Sequence, residues 1–458
     1  MVNEQKKFKE RYRTLLIQAN SVESKDPDKT RELLRQCRDL VDQHSQQIDQ
    51  SHSKLSMIDA RLEYLDHLII SFQSDKADGT ESSIVSSESE SKVRSESKVR
   101  SESKVRSESS IEESTIQSSL NSQILKSRIT ELQPDIVPIY ETLLHGESLS
   151  FEQYLDFYQQ INRTFPDPID PVIVDQASNA FYIGDTHGAY EEARNMIRYF
   201  EQVIDRCPNT RVIFDGDYVD RNPQDLENVT LIMSFWMRYP EQVRALRGNH
   251  EDHLINNHYG FIQNIKSAFP TGDQADQLYR EILEWFTKLP IGHVQEIHQE
   301  GNEEPFRVFC CHAGIPINNN APYDPIHIED LQSIKTQVSS FKEFPSLMSW
   351  ILWADPKEHV QGIELHPETG RDFFGEDVFT EFMQTNRLDL MIRAHIVLKE
   401  GFQYYFNKRL ISLFSASSYK NLPLGSAKFA KITQPPEVQF LPTDSMMLDI
   451  DLAQLDCK

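Results

Sequence analysis

Cysteine is scarce and badly spaced for any framework. The 458-residue chain has five, Cys37, Cys207, Cys310, Cys311 and Cys457. They form no CxxC pair and no regular pattern, so neither a structural zinc site nor a disulfide scaffold is expected. Long apolar runs are missing too. HLIISF at 67–72 falls far short of the roughly 20 residues a spanning helix needs, and no membrane span is expected. The first residues, MVNEQKKFKERYR, lack the apolar centre of a signal peptide. With the cysteine usage, that points to a reducing compartment, the cytoplasm or the nucleus. Basic charge is also in short supply, with 47 Lys and Arg against 71 Asp and Glu and a net charge of −24. Such an excess repels a phosphate backbone or an anionic membrane surface, so no nucleic-acid partner is expected. Phosphorylated substrates are not excluded, because bound cations reverse the field locally.

Proline and glycine are absent between Pro27 and Gly79. Asp26-Pro27 is a good helix start, with Asp as N-cap and Pro in the first turn. Leu34, Val41, Ile48, Leu55, Leu62 and Ile69 then recur every seven residues. This is an apolar seam, interrupted by His44 and Ser51 at the complementary positions, and it reads as a coiled coil or a helical hairpin. Residues 1–78 are therefore an all-α N-terminal region suited to self-association or partner docking. Residues 79–124 are Ser- and Glu-rich, with SESKVR three times in succession (89–106). So few apolar residues cannot offset the entropy of ordering, which makes this stretch a disordered linker. A globular composition begins near 125 and continues to about 440. Within it PDPIDPVIV reads as a loop, and YEEARNMIRYFEQVID (190–205) as a helix. Residues 441–458 read as a tail.

The globular part repeats one local design. FYIGDTHG (181–188), RVIFDGDYVDR (211–221) and VRALRGNHED (243–252) are each a short apolar run that breaks at a glycine into polar residues. FRVFCCHAG (306–314), LDLMIRAH (388–395) and LISLFSASSY (410–419) end similarly. Short apolar runs bounded by turn signals read as buried strands, and loops beyond strand ends are where α/β folds assemble their sites. The strand ends offer Asp185, His187, Asp217, Asn249, His312 and His395. Oxygen and imidazole without thiolate suit Mn, Fe or Zn in an open site. Six ligands are too many for one ion that keeps water, but they fit two ions sharing one carboxylate.

GDTHG, GDYVDR and GNHE, in that order, resemble the metallophosphoesterase signature. LWADP (352–356), FFG (373–375), RAH and LFSASSY, with YGF (259–261) and LPI (289–291), resemble the phosphoprotein phosphatase family of Ser/Thr protein phosphatases. The resemblance covers roughly 135–440. It implies an α/β (α+β) fold of the calcineurin-like type, a four-layer α/β/β/α arrangement around a central β-sandwich. It also implies two divalent or trivalent metal ions (Mn, Fe and/or Zn). Asp185, His187 and Asp217 would hold one, and Asp217, Asn249, His312 and His395 the other. His250 would be the general acid and Asp220 its partner. Arg221 would grip the phosphoryl oxygens, with Asn249, Arg371 and Tyr419 as further substrate contacts. The implied activity is hydrolysis of phosphoserine and phosphothreonine in proteins by attack of a hydroxide bridging the two metals.

The chain departs from the family pattern in places. Asn222 stands where Gly usually follows the second motif, HAG replaces HGG, and Ser417-Ser418 replaces Pro-Asn before Tyr419. Arg371 lies closer to FFG than the second phosphate-binding Arg usually does. Two alternatives accompany the reading: the same chemistry on dinucleotide polyphosphates or small phosphoesters, and an inactive scaffold. The intact ligand set with His250 and Asp220 argues against the scaffold.

Overall fold

A computed structural model describes Gln36 and residues 134–454, apart from 166, 299–300, 303, 319–325, 366–370 and 421. The helical region expected over 1–78 and the linker over 79–124 lie outside the described residues, Gln36 excepted. The chain divides into two compact units, one of 1–101 with 365–371 and one of 102–364 with 372–458. The second unit contains every strand-end motif that leads to Asp185, His187, Asp217, Asn249, His312 and His395.

Two sheets form the centre of that unit. One is built of β2 (Asn179–Ile183), β3 (Thr210–Phe214), β4 (Val243–Ala245), β15 (Lys428–Gln434) and β16 (Glu437–Pro442), in the order β16-β15-β2-β3-β4. The other is built of β1 (Val172–Ala177), β5 (Gly292–Ile297), β6 (Phe306–Cys310), β10 (Leu390–Arg393), β11 (Phe402–Tyr405) and β12 (Leu410–Leu413). Its order is β1-β5-β6-β10-β12-β11. Two small sheets complete the set among the described residues. One joins β7 (Asp355–Pro356), β8 (Ile363–Glu364) and β9 (Phe373–Phe374), and the other pairs β13 (Ser418–Tyr419) with β14 (Leu422–Pro423).

The layering follows from the strand period of two. Ala180, Tyr182 and Ile213 of one sheet meet Val308, Cys310, Ile392 and Ile411 of the other in a shared core. Their neighbours point the opposite way. Phe181, Ile183, Val212 and Phe214 pack against helices Phe151–Thr164, Tyr190–Arg206 and Asp225–Arg238. Phe309, Met391 and Leu410 pack against Ser346–Trp353 and Glu376–Thr385. Helix Tyr190–Arg206 buries Ala193, Ile197, Phe200 and Ile204, the three-to-four spacing of one helix face. The result is the α/β/β/α order.

Three expectations change. VIVDQA is strand β1 rather than loop, and it lies at a sheet edge with β5 as its partner. Pro171 can precede an edge strand without removing a ladder hydrogen bond, and its carbonyl accepts from Ile291 and Gly292. The folded unit also runs past 440: β16 ends at Pro442, and helix Ser445–Gln454 buries Leu448 and Leu452 in the helix-side core. Asp451 anchors that helix to Lys431 Nζ at 2.7 Å and Tyr199 Oη at 2.6 Å, so the stretch assigned to a tail is part of the fold. Finally, Cys207 is disulfide-bonded, whereas Cys310 and Cys311 are free and buried. An isolated bond has no spacing pattern by which to be read.

Candidate active site

β2, β3 and β4 run parallel, as do β6, β10 and β12, so their C-terminal ends open on common edges. Asp185 and His187 follow β2, Asp217 follows β3, and Asn249 and His250 follow β4. His312 follows β6 and His395 follows β10. The turns are sharp. His187, Asp217, Asp220, Arg221 and His395 all have positive φ, between 41° and 77°. Non-glycine residues hold that conformation only where their surroundings over-determine it. Gly216 and Gly248 pack backbone to backbone, and a Cβ on Gly216 would lie 2.4 Å from Gly248 N. The glycines of the second and third motifs thus bring those two loops together.

The expected ligands converge. Asp217 Oδ2 lies 3.5 Å from His187 Nε2, and Asp217 Oδ1 lies 3.3 Å from His312 Nε2. One carboxylate therefore faces both halves of the cluster. Asp185 Oδ2 is 3.8 Å from His187 Nε2, while Asp185 Oδ1 accepts from His395 N at 2.9 Å. Asn249 Oδ1 is 2.9 Å from His312 Nε2 and 2.8 Å from His395 Nδ1. Two sets, His187 with Asp217 and His250, and Asp217 with His312 and His395, each bring their donor atoms within 4.8 Å of one another. The first holds His250 in the place where the resemblance put Asp185.

The donor set suits cations. His187 Nδ1 faces Val219 O at 2.9 Å and His312 Nδ1 faces Asp215 O at 2.7 Å. A ring nitrogen beside a carbonyl must donate, which assigns the proton to Nδ1 and leaves Nε2 with its lone pair toward the cluster. This is the arrangement that metal-ligating histidines adopt. The electrostatics keep the His187 ring neutral, while the carboxylates around His312 favour its charged form. Burial and the Asp217 charge push Asp185 up to about 7. Burial and His250 push His187 down to about 3. Burial alone would lower His312, but Asp217 and Asp185 raise it to about 9. Carboxylates and imidazoles crowded this way lack the positive charge that two bound cations would supply.

Beside the cluster, His250 Nδ1 lies 2.7 Å from Asp220 Oδ2. Asp220 also accepts from Asn256 Nδ2 at 3.1 Å and Phe261 N at 2.9 Å, so three donors hold its carboxylate. His250 Nε2 is 3.5 Å from Arg221 Nη2. The Arg221 guanidinium lies 3.6 Å from the centroid of the Tyr259 ring and 5.2 Å from that of Tyr419. Tyr419 in turn packs edge-on to His187. Arg371 is half-buried and belongs to the other compact unit.

Several residues that sequence reasoning passed over hold this arrangement. Glu251 accepts from the backbone N–H groups of Asp217, Tyr218 and Gly248 at 2.8–2.9 Å. Burial and Asp217 push its carboxyl up to about 8. Arg393 donates to Ala313 O at 2.8 Å and Asp355 Oδ1 at 2.7 Å. It thereby ties the RAH, HAG and LWADP stretches together. The clue in the sequence was the bare presence of a charged residue within each motif.

Residues 180–398 match the calcineurin-like phosphoesterase family. A probable serine/threonine-protein phosphatase of Encephalitozoon cuniculi is 31% identical over 249 residues, 54% of this chain and 49% of that protein. The chain thus spans about half the length of that curated relative. Among solved structures, a protein serine/threonine phosphatase from Saccharomyces cerevisiae, with similarity to human phosphatase PP5, superposes with a TM-score of 0.51 at 19% identity. The match covers 65% of this chain and 91% of that one, and at such identity the likeness bears on the fold.

Proposed function

We propose that the chain, whose residues 180–398 match the calcineurin-like phosphoesterase family, is a metal-dependent protein serine/threonine phosphatase of the phosphoprotein phosphatase family. The observation that carries this reading is the His250–Asp220 pair, with Arg221 alongside, set against the donor cluster of His187, Asp217, His312 and His395.

Asp185, His187 and Asp217 would hold one cation, and Asp217, Asn249, His312 and His395 the other. Bound there, the cations supply Lewis-acid chemistry, activating water and neutralising phosphoryl charge. The chain's own groups do the rest. Arg221, stacked on Tyr259, presents a flat guanidinium to the equatorial oxygens of the phosphoryl group. Seryl and threonyl alkoxides are poor leaving groups, and His250 Nε2 is the atom that delivers their proton. Asp220 fixes the ring by its hydrogen bond to Nδ1 and offsets the charge when Nε2 is protonated. Acid catalysis of this kind is worth ~10²–10⁴-fold. Tyr419 and Asn249 line the pocket.

Phosphoproteins are the proposed substrates, with residues 1–78 as the self-association or docking region and the cytoplasm as the proposed location. Among the described residues, no helix is long and apolar enough to cross a membrane.

The test is phosphate release from phosphoserine and phosphothreonine peptides by Mn²⁺-loaded protein, beside His250→Asn. Small phosphate esters and a dinucleotide polyphosphate run in parallel. Peptide turnover that collapses in the variant is expected. Turnover confined to the small substrates would replace the reading with the phosphoesterase alternative, and bound metal without turnover of anything would sink both.

A further inference from the structure

We propose that Asn222 is a positioning residue that sets the spacing between the His187 half of the metal site and the Tyr419 wall of the pocket. The inference rests on the metallophosphatase reading, and it goes beyond it to a position where this chain departs from the family pattern.

Asn222 is buried, 4% exposed, one residue after Arg221. Its Nδ2 donates to His187 O at 2.8 Å and to Ser418 O at 3.1 Å. Both partners are backbone carbonyls, which can only accept. That fixes which end of the carboxamide faces them and uses both of its N–H groups. Serine could satisfy one of the two carbonyls, and aspartate or alanine neither. The backbone of Asn222 is held as well. Its N–H donates to Asp220 O at 3.0 Å, and its carbonyl accepts from Asn264 Nδ2 at 3.3 Å. Asn264 also donates to Asp225 Oδ2 at 2.9 Å, and the same oxygen accepts Asp220 N at 3.2 Å. The brace therefore has a fixed base on the loop that carries Asp220 and Arg221.

What it braces matters. His187 sits at φ 41°, a conformation its neighbours must impose. Its N–H donates to Asp217 O at 2.9 Å and its ring Nδ1 to Val219 O at 2.9 Å. The Asn222 carboxamide holds its carbonyl. Ser418 immediately precedes Tyr419, whose ring lies 5.5 Å from the His187 ring, centroid to centroid. One carboxamide thus holds a metal ligand and a pocket wall in register. Losing it would let His187 relax and leave two carbonyls competing for water.

The experiment is calorimetric titration of metal-stripped protein with Mn²⁺, for wild type, Asn222→Ser, Asn222→Ala and Asn222→Asp, with far-UV circular dichroism as a check on folding. Groups that orient metal ligands typically affect metal affinity by ~10–100-fold. We expect Asn222→Ala and Asn222→Asp to weaken one of the two binding events by ~10-fold or more. Asn222→Ser should fall between them and wild type, following the number of donors. At saturating Mn²⁺ the remaining defect should appear in KM for a phosphopeptide more than in kcat. Affinities within twofold of wild type, equal weakening of both events, or failure of all three variants to fold would each overturn the assignment. If wild type binds Mn²⁺ but hydrolyses no phosphate ester, the proposed function fails while the titration series still decides the role of Asn222.

Discussion

Two polar clusters among the described residues handle charge in opposite ways. One joins the sheets. Asp175 of β1 meets Arg244 of β4 at 2.8 Å, His293 of β5 at 3.1 Å and Arg211 of β3 at 3.6 Å. Opposite charges face each other, and none of the four residues has positive φ. The other cluster lies at the strand ends, where Asp185 and Asp217 confront His187, His312 and His395, and where His187, Asp217 and His395 have positive φ. The first is electrostatically closed and the second is open. Burying charge is costly unless it is compensated, so the closed cluster needs nothing more, while the open one calls for cations. That contrast in charge is sharper than the difference in burial: Asp175 and Arg211 are only partly buried, whereas Asp185, His187, Asp217, His312 and His395 are all buried.

The contrast breaks most visibly at Asp217. Asp217→Ala removes the carboxylate that faces both halves, and bound Mn²⁺ per chain, measured by elemental analysis after dialysis, should fall toward zero with the fold intact. Retention of both ions would mean that the open cluster is not a metal site. Asp220→Asn is the next largest effect. Phosphopeptide turnover should drop on the order of 10²-fold, with Mn²⁺ content unchanged, because Asp220 serves His250 and not the ligands.

In the closed cluster the readout changes from metal to stability. Asp175→Ala leaves Arg244 buried without its partner and should cost ~3–5 kcal/mol in urea unfolding, with Mn²⁺ content as in wild type. Its pH dependence follows from the direction of the shift. Burial would raise the Asp175 carboxyl, but Arg244 and His293 hold it well below the usual carboxylate range. A depressed carboxylate contributes its full stabilisation above its unfolded value, near pH ~4, and loses it as pH falls further. The Asp175 carboxylate therefore adds no slope of its own from pH 7 to ~4, and its contribution to the gap between wild type and Asp175→Ala should shrink below that. A gap that went on widening below pH ~4 would contradict the closed-cluster picture. The smallest effect lies outside both clusters. Ser150 caps helix Phe151–Thr164 through a reciprocal pair with Gln153, and Ser150→Ala should cost ~1 kcal/mol with metal content and turnover untouched.

The open cluster was legible in the sequence because strand ends converge. Each of Asp185, His187, Asp217, Asn249, His312 and His395 follows an apolar run, and the chain topology does the gathering. The closed cluster was not legible. Asp175 sits on a strand read as loop, and Arg211, Arg244 and His293 look like ordinary polar positions until two sheets are stacked. The same holds for Arg393 with Asp355, 38 residues apart, and for Glu251, whose partners are backbone amides with no residue identity to read. In the sequence the helix Ser445–Gln454 reads as a tail, because its burial depends on Leu448 and Leu452 meeting a surface built far upstream. Asn222 stood out only as a departure, and what its carboxamide does became visible when His187 and Ser418 arrived on either side of it.

The place of β15 has a consequence for how the protein comes into being. β2, which leads directly to Asp185, is flanked by β3 on one side and by β15 on the other. β3 leaves the ribosome some 30 residues after β2, but β15 does so about 250 residues later. Throughout that interval β2 presents an unpaired edge, the kind of surface that recruits other chains. His395 is also still to come for most of that time. A nascent chain stalled before His395 should therefore both lack a member of its strand-end cluster and be prone to aggregate through the β2 edge. Completion of the cluster and protection from misassembly would be acquired late in synthesis, and close together.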